Sequence, residues 1–175
     1  MSDEAAKPVR RRAASTLSPI PPVGGRESLS FVSSGSTMLD CVLGGGYPLG
    51  RIVNIAGDRS SGKTLLAIEA CANFRRKFPN GTVRYAEAEA AFDPGYAQQL
   101  GMPIGTVQFA DDIFTVEDFF EDLEKLLKDH PDTPGIYVLD SLDALSDRSE
   151  LERKIDEGSY GAEKAKKMGQ LFRRL

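Results

Sequence analysis

One stretch of eight residues constrains this chain more than any other: Gly57, Asp58, Arg59, Ser60, Ser61, Gly62, Lys63 and Thr64. It fits the pattern G-x-x-x-x-G-K-[ST] at every fixed position. RIVNIA precedes it, a short apolar run rich in β-branched residues that reads as a buried strand. LLAIEACANFRRKF follows with a helical pattern. Strand, glycine turn and helix in that order bring backbone N–H groups and the positive end of a helix dipole to one point. Gly57 and Gly62 permit backbone conformations closed to other residues and let the chain come close to a ligand. The N–H groups up to Leu65 can then wrap a phosphate, and Lys63 adds a mobile cation. Thr64 offers a hydroxyl to Mg²⁺. The plain alternative is a glycine-serine turn joining a strand to a helix.

The rest of the chain supports the same architecture. TVRYA at 82–86, VQFA at 107–110 and IYVL at 136–139 are further strand candidates. Between them, Val116, Phe119, Phe120, Leu123, Leu126 and Leu127 recur at helical spacing behind a capping Thr115, with Glu117 and Asp118 suited to the helix's positive end. Ser33–Ser36 before TMLDCVL predicts a short capped helix closed by Gly44–Gly46. Alternating strands and helices predict an α/β fold: a mostly parallel sheet with helices on both faces. At 175 residues and 19.0 kDa the length suits one domain. Residues 1–30 hold four of the ten prolines, a Gly-Gly pair and the run Arg10–Arg12, so they read as a flexible arm before a core at 31–175. No apolar run reaches the ~20 residues of a membrane span and no signal-peptide core is evident. Cys41 and Cys71 form no metal-ligand pattern and read as reduced packing residues of a cytoplasmic protein.

Charge and position select further candidates. Asp140 ends the IYVLD strand, and strand C-terminal ends in a parallel sheet gather at the edge where ligands bind. An aspartate there can hold Mg²⁺; otherwise it caps the turn that follows. Glu87 and Glu89 lie just beyond TVRYA and reach the same edge, so either can orient or deprotonate a water molecule. His130, the sole histidine, sits at a helix end. The net charge of −4 argues against a surface coated in positive charge. The stretch 161–175 nevertheless carries Lys164, Lys166, Lys167, Arg173 and Arg174 against Glu163 alone, which is either a local phosphate-binding face or a solvated helix.

With SSGSTMLDCVLGGGYPLGRIVNIAG, DRSSGKT, EAEAAFDPGYAQQLG, IYVLDSLDAL and SELERKIDEGSYGAEKAKKMGQLFRRL in that order, the chain resembles the bacterial recombinase RecA family and its phage relatives. The resemblance runs from about residue 31 to 175. It implies a RecA-like P-loop NTPase core and a DNA-dependent ATPase that binds ATP, Mg²⁺ and single-stranded DNA, forms filaments of itself and serves homologous recombination and DNA repair. By the same resemblance Glu89 falls on the catalytic glutamate, Asp93 and Tyr96 on an adenine-contacting pair, and residues 149–161 on a DNA-binding loop. Tyr160, Lys166 and Arg173 then occupy DNA-facing positions, where a tyrosine can stack on bases. Without the resemblance Asp93 reads as a turn starter and Tyr96 as a core aromatic.

Three features depart from the family: Asp58-Arg59 in the loop, Ala90 where a histidine is usual, and a proline-rich arm in place of an oligomerising helix. The family's core also continues beyond residue 175. The absent part includes a strand lying between the RIVNIA and IYVLD strands. The fold is therefore expected to be incomplete at the C-terminus, with a slot roughly 10 Å wide between two strands. Either those two strands pair directly, or a second polypeptide supplies the missing one, or the chain is a truncated gene product. As a fragment or one half of a split recombinase it is expected to form the phosphate loop but to show poor DNA-stimulated turnover, low stability and exposed apolar surface. The rival functional expectation is a nucleotide-binding regulatory or interaction protein without turnover.

Overall fold

The computed structural model describes residues 30–149 and 161–173. The expected arm at 1–30, apart from its last residue, the loop at 150–160 and Tyr160 lie outside the described residues.

A short antiparallel pair opens the fold: β1 (Phe31–Val32) and β2 (Tyr47–Pro48). Between them lies α1 (Thr37–Leu43), capped by Ser36 and ended by Gly44 in the left-handed conformation at φ 75°. α2 (Lys63–Lys77) follows the glycine turn and gathers Arg75, Arg76 and Lys77 in its last turn, where the helix dipole favours cations. β3 (Thr82–Glu87), α3 (Pro94–Gln99), β4 (Gln108–Ala110), α4 (Val116–Asp129), β5 (Gly135–Asp140) and α5 (Gly161–Leu171) complete the order.

β3 lies at the centre of a three-stranded sheet of order β4-β3-β5, parallel throughout. Alternation along β3 divides its side chains between two cores. Val83 and Tyr85 join Ile68, Cys71 and Phe74 of α2, with Ile136 and Val138 of β5 packed against them. On the opposite face Ala86 joins Val116, Phe119 and Phe120 of α4, with Tyr137 and Leu139 of β5 and Met168 and Leu171 of α5 alongside. The α/β expectation therefore holds, with a helix on each face of the sheet. Arg84 also points to the α4 side and pairs with Asp122 at 2.7 Å. Thr115 and Asp118 form a reciprocal capping box at the start of α4, as the sequence predicts for Thr115.

Four expectations are corrected. RIVNIA is not a buried strand: residues 51–56 carry no strand pairing, and Ile52 and Val53 are 62% and 44% exposed. Among the described residues these six make no backbone–backbone hydrogen bond. A buried strand needs a paired neighbour, and none is present among the described residues. Nor do this segment and β5 pair directly, since β5 is bonded to β3 alone. Cys41 is exposed on α1 rather than packed, whereas Cys71 is fully buried and its thiol is pushed up to about 12 by desolvation. Leu127, read as part of the buried stripe of α4, lies exposed in the helix's last turns.

Candidate functional site

The turn that ends at α2 is shaped by three positions. Gly62 precedes the helix at φ 93°, and Ser60 adopts φ 61°, a conformation that costs a non-glycine residue free energy. Gly57 is required by space: a Cβ there would stand 2.7 Å from Ser61 Oγ. From residue 59 to 65 only the N–H of Ser61 finds a backbone acceptor among the described residues, Asp58 O at 3.3 Å. The first intrahelical bond comes from Leu66 to Gly62 at 3.0 Å. The N–H groups of Gly62, Lys63, Thr64 and Leu65 are thus the unpaired donors that every helix start leaves. Lys63 Nζ folds back on its own turn, donating to the carbonyls of Gly57 at 3.0 Å and Asp58 at 2.9 Å.

Asp140 arrives from the other side. Its register partner on β3 is Glu87, so both lie at the C-terminal edge of the sheet. Thr64 Oγ1 donates to Asp140 Oδ2 at 2.8 Å across 76 residues of chain. Tyr85 Oη donates to the same oxygen at 2.9 Å. The turn-capping alternative for Asp140 does not occur, because Ser141 stands at the start of the following single helical turn, Leu142–Ala144. Burial, then the Asp140 charge, hold the Tyr85 phenol well above its ordinary range, so it stays a donor at any physiological pH.

Glu87 and Glu89 separate. Glu87 Oε1 accepts from the N–H groups of Glu89 at 3.1 Å and Ala91 at 2.8 Å, and so ties down the loop. Ala90 within that loop takes φ 53°. Glu89 Oε1 accepts from Ser141 Oγ. A cavity of about 280 Å³ is lined by Arg59, Ser60, Ser61, Gly62, Lys63, Thr64, Glu89 and Asp140. The sequence-predicted residues of the turn, the strand-end aspartate and one glutamate are therefore brought together.

Asp93 and Tyr96 stand outside that lining. Asp93 caps α3 by accepting from Tyr96 N–H, which is the turn-starter reading of that residue. Tyr96 is 47% exposed and so is not a core aromatic. Of the basic cluster, three described members make internal contacts, among them Arg173, whose Nε donates to the Gly169 carbonyl at 2.7 Å. Lys164 Nζ donates to the Leu142 and Leu145 carbonyls, and Lys167 Nζ pairs with Glu117 at 2.8 Å. Lys166 and Arg173 are exposed. His130 ends α4, as its position suggests.

Two polar contacts, one at the cavity and one on α4 away from it, carried no clear sequence signal. Tyr85 reads as one more apolar position of an alternating strand, and only its hydroxyl hints at a polar partner. Arg148 pairs with Asp118 at 2.7 Å and Glu121 at 2.8 Å, from a segment whose neighbours in sequence do not announce α4.

What the fold and site define is an α/β chain with a cavity at the C-terminal sheet edge, walled by helix-start amides, a lysine, a threonine and carboxylates. A family model described as the RecA N-terminal domain matches residues 22–175. Protein RecA of Synechococcus sp. (strain CC9902) is 37% identical over 150 residues, covering 86% of this chain and 38% of that protein. Protein RecA of Prochlorococcus marinus (strain NATL1A) is 36% identical over 144 residues, covering 82% and 37%. Protein RecA of Listeria welshimeri serovar 6b is 37% identical over 150 residues, covering 85% and 41%. The chain belongs to the RecA family. It spans about two-fifths of the length of the curated relatives it matches.

Proposed function

We propose that this chain binds ATP with Mg²⁺ at residues 57–65 and forms the nucleotide-binding part of a RecA-type, DNA-dependent ATPase acting in cytoplasmic strand exchange and DNA repair. One observation carries the reading: the 2.8 Å hydrogen bond from Thr64 to Asp140, which closes the lysine turn against a strand-end carboxylate around a shared cavity.

The donor set fits a hard cation. Thr64 and Asp140 present oxygen only, as Mg²⁺ prefers, and would hold it between them. Bound there, the ion supplies neutralising charge beside a triphosphate. The chain's own residues account for the rest. Among the described residues the amides of residues 59–65 other than Ser61 have no backbone acceptor, and they can donate to a phosphate's oxygens. Lys63 exchanges two backbone carbonyls for β- and γ-phosphate oxygens, where its full charge is better matched. Glu89 lies at the cavity wall with Ser141 and is suited to orient an attacking water and receive its proton. Tyr96, half exposed, has a ring open to stacking on adenine, with Asp93 fixing the start of its helix. Lys166 and Arg173 on the solvent side of α5 and its end, together with Tyr160, are the candidates for single-stranded DNA. The two lysines consumed internally leave that face weaker than the sequence count indicates. Self-assembly into filaments and a strand supplied to residues 51–56 by a second polypeptide belong to the same proposal, motivated by the exposed Ile52 and Val53.

The test is ATP hydrolysis by the chain with and without single-stranded DNA, beside Lys63→Ala. The account expects nucleotide binding, turnover that rises with DNA, and a loss of roughly 100-fold or more in the variant. Binding without turnover under either condition favours a regulatory nucleotide-binding protein. Absence of any nucleotide binding rejects both.

A further inference from the structure

The Asp140 side chain is held by two donors on one oxygen, Thr64 Oγ1 at 2.8 Å and Tyr85 Oη at 2.9 Å. Among the described residues Oδ1 has no hydrogen-bond partner. The two donors differ in what fixes them. Thr64 stands in the first turn of α2, beside the strained turn. Tyr85 is fully buried at the centre of the sheet. Its ring packs at 4.9 Å on Phe92 and 6.1 Å on Phe109, and those two rings lie 5.2 Å apart. Phe92 follows Glu89 by three residues, so the same aromatic group anchors the segment that brings Glu89 to the cavity. A hydroxyl in a core position must find an acceptor, and here the acceptor is the one carboxylate at the sheet edge.

A divalent cation held by Thr64 and Asp140 would tie the threonine oxygen to the ion, whereas the Tyr85 hydroxyl is fixed by the aromatic core whether or not the ion is bound. Among the described residues Tyr85 is therefore the donor that orients Asp140 independently of the cation. We propose that Tyr85 is a positioning residue for the cation site: from the aromatic core it holds Asp140 Oδ2 in one orientation, leaving the other oxygen for the cation. This rests on the reading of the cavity as a site for Mg²⁺ and nucleotide, and it deepens that reading by naming the residue that keeps the carboxylate ready.

The experiment compares the wild-type chain with Tyr85→Phe, which keeps the ring and its packing. Mn²⁺ serves as a paramagnetic probe, titrated in the presence of ADP and followed by electron paramagnetic resonance. The expected result is Mn²⁺ affinity weakened roughly 10-fold, as for loss of a partner that orients a metal ligand. ADP affinity measured without divalent cation should stay unchanged. A second measurement needs no ligand: NMR couplings reporting the Asp140 χ1 angle. They should indicate one rotamer in the wild type and averaging in Tyr85→Phe. If the wild type binds neither Mn²⁺ nor ADP, the nucleotide reading fails, and the χ1 couplings alone then decide whether Tyr85 orients Asp140. Unchanged couplings overturn the proposal, as does an unchanged Mn²⁺ titration in a wild-type chain that binds the ion. A lowered melting temperature with both readouts unmoved assigns Tyr85 to packing alone and also overturns it.

Discussion

β3 and β5 are paired over six positions, from Thr82 and Gly135 to Glu87 and Asp140, and Val83 between the two helical layers is fully buried. Residues 51–56 lead into the same cavity, yet they make no backbone hydrogen bond with other described residues and leave Ile52 mostly exposed. The candidate site straddles this divide. Asp140 and Glu89 come from the paired side. Lys63 and Thr64 come from a helix whose far turns are packed through Ile68, Cys71 and Phe74 but whose approaching chain is unpaired. The difference teaches that the carboxylates are positioned by the sheet, whereas the phosphate-facing turn owes its position to α2 and to the Thr64–Asp140 bond. Unlike Asp140, the turn has no strand holding it from behind among the described residues.

The largest effect is expected from core truncation. Phe74→Ala removes a fully buried ring between α2 and the sheet and should cost about 3–5 kcal/mol in urea unfolding. Ile52→Ala should stay within about 0.5 kcal/mol, as an exposed substitution does. Similar costs at the two positions would abolish the contrast.

Thiol labelling draws the same line at smaller scale. Cys41 is exposed and should react with a maleimide at once, whereas Cys71 is buried, with its thiol pushed up to about 12, and should react only on unfolding. Rapid labelling of Cys71 in native buffer would show that the layer between α2 and β3 is not closed.

The smallest effect concerns the clasp between α4 and the chain that follows β5. Burial alone would raise the Asp118 and Glu117 carboxyls, but their partners outweigh it and hold both below the usual range: Arg148 and Thr115 for Asp118, and Lys167 and the Arg148 N–H for Glu117. A depressed carboxyl contributes stability that is full above its unfolded-state value and is lost as pH falls through its folded-state value. The melting temperature should therefore drop on acidification below about pH 4, and less steeply in Lys167→Met. An equal slope in the variant would remove Glu117 from this account.

Much of this was legible in residue order. The three sheet strands, α2, α4 with its Thr115 cap, and the meeting of residues 57–64 with Asp140 all follow from local pattern plus the rule that parallel strands end at one edge. RIVNIA was not legible, because a run of β-branched residues states a preference and only a neighbouring strand converts it into burial. Cys41 is apolar in context but lies on the outward side of α1. Lys164 and Lys167 looked like a solvated or DNA-facing cluster because their partners Leu142, Leu145 and Glu117 are up to 50 residues away. Glu87 and Glu89 could not be separated by alternation because the loop after β3 curls back over Glu87.

The most direct measurement is a backbone-amide NMR titration of the chain with a non-hydrolysable ATP analogue and Mg²⁺. The account predicts shifts concentrated at residues 59–65 and at Asp140, absent in Lys63→Ala. Shifts centred instead on a separate cavity, lined by Arg84, Asp122 and His130 among others, or no shifts at millimolar analogue, would contradict it.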